Sequence, residues 1–159
     1  QEWLAHCAVE TAVAHETTYP AKKQAYGPGL AGLIDIGRAL SGMDYQKILL
    51  HRHDFRGRVA ALFETIDLLA IPAQYMASPT VKQMATLGED PNAINSLRRF
   101  TAPCERTGSP SSTLPSGFTA AGTPIAFQLV GRHFQEDLLV RAGHAYQGAT
   151  DWHRKHPKL

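Results

Sequence analysis

Residues 99–131, RFTAPCERTGSPSSTLPSGFTAAGTPIAFQLVG, decide the fold. Thr107-Gly108-Ser109-Pro110 is a turn, because Gly accepts positive φ and Pro fixes its own φ while restricting the residue before it. Residues 112–118 then run extended. Ala120-Ala121-Gly122-Thr123 supplies a short reversal, with Gly where a left-handed backbone is needed. Residues 124–130 form the returning strand, with Ile125, Phe127 and Leu129 on one face and Ala126, Gln128 and Val130 on the other. Both faces are mainly apolar, so this strand is expected to be covered on both sides. Gln128 is then a buried amide that must find hydrogen-bond partners.

Working outward, Trp3, Leu4, Cys7, Ala8 and Ala12 recur at helical spacing and predict a first helix ending near His15. A second helix starts at Tyr26-Gly27-Pro28, where Pro suits the first turn. Tyr45, Ile48, Leu49, Arg52, Phe55, Val59, Leu62 and Phe63 predict a long third helix, with Asp44 as its cap. Residues 67–72 (DLLAIP) read as a short buried strand that Pro72 ends. Residues 74–92 hold Pro79, Gly88 and Pro91 with weak periodicity. They are expected to be irregular, and long loops in compact domains are often functional. A short helix over 92–100 and a last one over 135–147 complete the order. The pattern predicts an α/β fold: a short mixed sheet covered by helices, with 1–66 mainly helical, 67–134 strands and loops, and 135–150 helical. Three strands leave exposed sheet edges, so the chain is expected to need a partner segment or self-association.

A chain of 159 residues with 43% hydrophobic residues can bury a core. Its formal charge of +2 is small and scattered, which argues against nucleic acid and acidic membrane surfaces as partners. No segment reaches the ~18 apolar residues of a membrane span, and no signal-peptide pattern opens the chain. Cys7 and Cys104 form no framework spacing, which fits a reduced, cytoplasmic compartment.

In order and spacing, Phe100-Thr101-Ala102-Pro103, Thr107-Gly108-Ser109-Pro110, Thr113-Leu114-Pro115-Ser116-Gly117-Phe118, Gly122-Thr123-Pro124 and Gln128-Leu129-Val130-Gly131 resemble the carboxy-terminal third of the amidase signature family of amide hydrolases. Tyr26-Gly27-Pro28, Asp67-Leu68-Leu69-Ala70-Ile71-Pro72 and Ala145-Tyr146 through Trp152-His153 extend the likeness from about Trp3 to His153. The resemblance implies an α/β/α fold with a large mixed sheet, of which residues 1–159 are a single partial domain. It implies hydrolysis of carbon–nitrogen bonds by a Ser-Ser-Lys set without metal or cofactor. In the family those residues lie in an upstream Gly/Ser-rich segment that this chain lacks, and the chain opens at Gln1 rather than Met. It therefore reads as a truncated or processed carboxy-terminal piece with no catalytic residue of its own. Its expected partners are the missing amino-terminal part, a small-molecule amide and a second copy of the chain.

By the same resemblance the carboxy-terminal third walls the acyl pocket, which makes Arg98, Phe100 and Thr101 the substrate-pocket candidates. Members that deliver glutamine-derived ammonia to transfer RNA often carry an acidic residue near Arg98. A cation there favours a general amidase over a glutamyl-tRNA amidotransferase A-type subunit. A non-catalytic structural or interaction module is the remaining alternative. Ser112 and Ser116 lack a nucleophile elbow and a nearby lysine. His51 and His53 are two apart on a helix, so their rings do not converge on a metal. Cys104 beside Glu105 and Arg106 has no base within reach of the sequence pattern.

Overall fold

The computed structural model describes residues 2–157. The chain forms two compact units that divide between Arg56 and Gly57.

The first unit contains α1 (Glu2–Ala14), α2 (Tyr19–Lys22), α3 (Pro28–Ala39) and the start of α4 (Gly42–Leu62). The first and third of these pack closely because Gly37 carries no side chain. A Cβ there would overlap the carbonyl of Ala8. Ala8 and Ile34 are fully buried at this crossing, and Ala12 and Tyr19 complete the small core. The Tyr19 hydroxyl donates to Asp35 Oδ1 at 2.8 Å, and Lys23 donates to Asp35 Oδ2 at 2.8 Å. These two donors, Lys23 first, hold the Asp35 carboxyl below its ordinary range. The same bond to Asp35 raises the Lys23 ammonium above its own.

The cap of α4 is Ser41, which corrects the assignment of Asp44. The Asp44 amide donates to Ser41 Oγ at 3.0 Å, while the Ser41 hydroxyl donates to Asp44 Oδ2 at 2.7 Å. Asp44 is the third helical residue, so its amide is the orphan donor that a cap must satisfy.

The second unit is built on an antiparallel sheet of β1 (Leu68–Pro72), β2 (Ser111–Phe118) and β3 (Pro124–Gly131), in the order β1-β3-β2. The α/β class holds. The described strands pair antiparallel throughout, so the expected mixed pairing is not found among them. β2 and β3 are joined by a tight hairpin, which must be antiparallel. β1 then meets the other edge of β3, with Leu69 opposite Val130 and Ile71 opposite Gln128. β1 is also less buried than its apolar sequence suggests, since Ala70 and Pro72 are exposed on an edge strand. β3 is covered only along 128–131, while Pro124 and Ile125 stay exposed. The hairpin turns where expected: Gly122 has φ 80°, and the Thr119 and Thr123 hydroxyls meet at 2.7 Å. A bulge at Ser116 interrupts the β2 ladder between Pro115 and Gly117.

α8 (Glu136–Ala149) lays Leu139 against Leu114 and Leu129, which form the core of this unit. Tyr146 stands edge-on to Phe127 at 5.0 Å and donates to the Pro115 carbonyl at 3.2 Å. The region read as irregular holds helical turns. Thr80 and Gln83 form a capping box that starts α5 (Val81–Thr86), and Asp90 caps α6 (Pro91–Arg98). A further helix, α7 (Ala102–Thr107), was not expected from the sequence. Pro103 suits its first turn, and Gly108 ends it at φ 72°.

Candidate functional site

The second unit carries an open cleft of about 730 Å³. Its floor is formed by the sheet, with Pro72 at the end of β1, Thr113, Pro115 and Ser116 on β2, and residues 124–126 and Gln128 on β3. One wall is the loop 73–78 that leaves β1, and Thr101 between α6 and α7 stands at the other side. α8 packs on the face of the sheet that carries Leu114, Phe127 and Leu129, and Thr113, Ala126 and Gln128 alternate onto the opposite face, where they line the cleft.

The lining is mixed in polarity and, among the described residues, carries no Asp, Glu, Lys, Arg or His. Gln74, Ser78, Thr101, Thr113, Ser116 and Gln128 supply neutral polar groups, and Tyr75, Met76 and Ile125 supply apolar surface. Tyr75 and Met76 are 58% and 36% exposed, so they are available to a ligand rather than packed into the core. Such a lining suits a neutral molecule with a few oriented hydrogen bonds.

The three sequence candidates fall in different places. Thr101 lines the cleft. Phe100 contributes through its backbone: its carbonyl accepts a hydrogen bond from Gln128 Nε2 at 2.7 Å. Arg98 ends α6, is half-buried and lies outside the cleft lining. The single bond from Gln128 ties the α6–α7 junction to the sheet and so positions Thr101. Gln128 is only 4% exposed, as its place on an apolar strand implied.

The loop 73–78 falls almost wholly within the stretch 74–92 read as irregular and of a functional kind, although none of its residues was named as a pocket candidate. The available signal was the strand-ending Pro72 followed by a stretch without periodicity, at the exit of a strand. Ser116 is drawn to the floor by the bulge, and its hydroxyl approaches the Ile125 carbonyl at 3.5 Å. No basic side chain lines the cleft beside it. His51 is engaged with Glu2, Nδ1 to Oε1 at 2.7 Å. Among the described residues no cluster of three metal-ligating side chains occurs. Burial first, and Glu105 second, push the Cys104 thiol above its ordinary pKa, which disfavours the nucleophilic thiolate.

The Amidase family model matches residues 6–140. The chain is 45% identical over 152 residues to the putative amidase AmiD of Mycobacterium tuberculosis (strain ATCC 25618 / H37Rv), covering 96% of this chain and 32% of that protein. It is 33% identical over 143 residues to a glutamyl-tRNA(Gln) amidotransferase A-type subunit of Cyanothece sp. (strain PCC 7425 / ATCC 29141), covering 87% and 29%. Its fold matches a 6-aminohexanoate cyclic dimer hydrolase with TM-score 0.77 at 22% identity, covering 99% of this chain and 37% of that one. It also matches a bacterial aryl acylamidase with TM-score 0.75 at 18% identity, covering 96% and 34%. The chain thus spans about a third of the length of the curated relatives it matches. With the family model spanning residues 6–140 of its 159, this chain belongs to the amidase family.

Proposed function

We propose that the chain is the carboxy-terminal portion of a carbon–nitrogen hydrolase acting on amides, and that its two units are parts of one larger domain. The observation that carries this reading is the uncharged cleft on the hairpin sheet of a family member. The catalytic serine, bridging serine and lysine belong to the missing amino-terminal part. The serine oxygen attacks the amide carbon, the amine leaves with a proton, and water then releases the acyl group. The residues of this chain shape the pocket, Thr101 at the wall and Phe100 through its carbonyl, while Arg98 stays outside the lining at the end of the helix that leads into them.

The same reading makes the amino-terminal part of the protein the first partner of this chain, with self-association as the second means of covering its edges. A cytoplasmic location belongs to the proposal too. It is supported by Cys7 and Cys104, which form no disulfide with one another.

The test is expression of the complete reading frame and assay against aliphatic and aryl amides. Hydrolysis that disappears on replacing the upstream serine is the expected result. A complete frame without a Lys and Gly/Ser-rich segment, and without turnover, would instead identify a structural or interaction module. The amidotransferase relative favours a second enzyme reading, in which ammonia from glutamine is passed on within a complex. Hydrolysis of glutamine that depends on partner chains and transfer RNA would select it.

A further inference from the structure

We propose that the side-chain carbonyl of Gln128 recognises the ligand, accepting a hydrogen bond from the N–H of a neutral carboxamide held in the cleft. This choice of ligand rests on the amide-hydrolase reading above.

The orientation of the Gln128 amide follows from its partner. A backbone carbonyl can only accept, so the group facing Phe100 O at 2.7 Å is the NH2, and Oε1 points to the other side of the amide. Among the described residues no donor reaches Oε1, although the residue is almost wholly buried. Oε1 is nevertheless not sealed from solvent, and the space that Gln128 lines is the cleft. A nearly buried acceptor without a partner is unusual, since such groups are almost always satisfied.

The surroundings define what satisfies it. No Asp, Glu, Lys, Arg or His lines the cleft, so a charged ligand would lose its hydration without gaining a counter-charge. Thr113, opposite Gln128 in the β2–β3 register, adds a hydroxyl that can accept or donate beside it. Tyr75 and Ile125 offer apolar contact to the rest of the ligand. A primary or secondary carboxamide provides the required donor. An ester of the same shape does not. Gln128 is therefore a specificity-determining residue that separates N–H-bearing amides from esters.

The experiment uses the full-length protein with a nitroanilide and the nitrophenyl ester of the same acyl group. Gln128→Met keeps the side-chain length but removes both the acceptor and the NH2 that holds Phe100, so both substrates are expected to lose activity. The loss of kcat/KM for the anilide is expected to exceed that for the ester by about tenfold or more. Equal losses on both substrates would mean that Gln128 only holds Phe100, and would overturn the inference. If Gln128→Met does not fold, calorimetry on the wild type decides. Benzamide should bind about tenfold or more tightly than methyl benzoate, and equal affinity, or no benzamide binding, overturns the inference. The two readings separate cleanly. A protein that prefers benzamide but cleaves no amide loses the hydrolase reading alone. One that cleaves the anilide yet treats the binding pair alike loses only the role of Gln128.

Discussion

Single atoms decide the closest approach in this protein. Gly37 faces the Ala8 carbonyl across the α1–α3 crossing, with no space for a methyl group. Gly37→Ala must push two buried backbones apart, and overpacking of this kind costs about 1–3 kcal/mol or more. Urea unfolding monitored by circular dichroism should show a lower midpoint with an unchanged slope. The Cys104 thiol makes the opposite kind of prediction, an absence of reactivity. Because burial raises its pKa, it should react with a disulfide reagent near neutral pH more slowly than a free thiol such as glutathione. Reaction at the glutathione rate would contradict the burial. The left-handed Gly108 and Gly122 were legible from composition, since turns of those types require them. The Gly37 contact was not, because an isolated helical glycine carries no signal of what it faces.

At the level of elements, ion pairing and packing each give a measurable term. Asp35 is held below its ordinary pKa by Lys23 and Tyr19, so this carboxylate stabilises the fold above the ordinary carboxylate range. That contribution disappears as pH falls through its lowered value. Lys23 is raised, so its contribution is present below the ordinary lysine pKa and lost as pH climbs through the raised value. Asp35→Asn should therefore flatten the acid limb of a melting-temperature profile below about pH 4 and leave neutral pH with a small change. Both groups are exposed, so added salt should shrink the difference. In the second unit Leu139 is the contact by which α8 closes the hairpin core. Leu139→Ala should cost about 2–5 kcal/mol, read as a lower thermal midpoint together with loss of amide-exchange protection in β2 and β3. An unprotected wild-type hairpin would argue against this core. Hydrophobic spacing revealed α1, α3, α4 and α8 because each buries one face. α5 and α7 are six residues each, too short for a period to emerge, and they exist through capping and proline placement.

For the molecule as a whole, the sheet is the exposed liability. β1 and β2 each pair on one side with β3, and within the described residues neither has a second neighbour. Unpaired strand edges template association with other chains. Phe134 adds to this: it is 92% exposed and adopts φ 64°, a left-handed conformation that a bulky residue rarely takes. A preparation of the 159 residues should therefore self-associate as concentration rises, observed by sedimentation velocity. On the proposed reading, addition of an amino-terminal part should suppress that association. A monomer that unfolds in one cooperative step at low concentration would show that these edges need no cover.

The order of motifs along residues 99–131 was sufficient to name the family and to place the hairpin, because turn chemistry is local: a glycine or proline acts on its own dihedrals wherever it stands. Gln128 was marked as a buried amide for a similar reason, its neighbours in the strand being apolar. The sequence could not show where that amide spends its hydrogen bonds. Only pairing of β3 with two strands, and the placement of the α6–α7 junction beside it, brings Gln128 to the Phe100 carbonyl, sets Thr101 at the cleft and leaves Arg98 outside it. Those are contacts between residues about thirty positions apart, and no local pattern encodes which side of an amide faces a carbonyl and which faces open space.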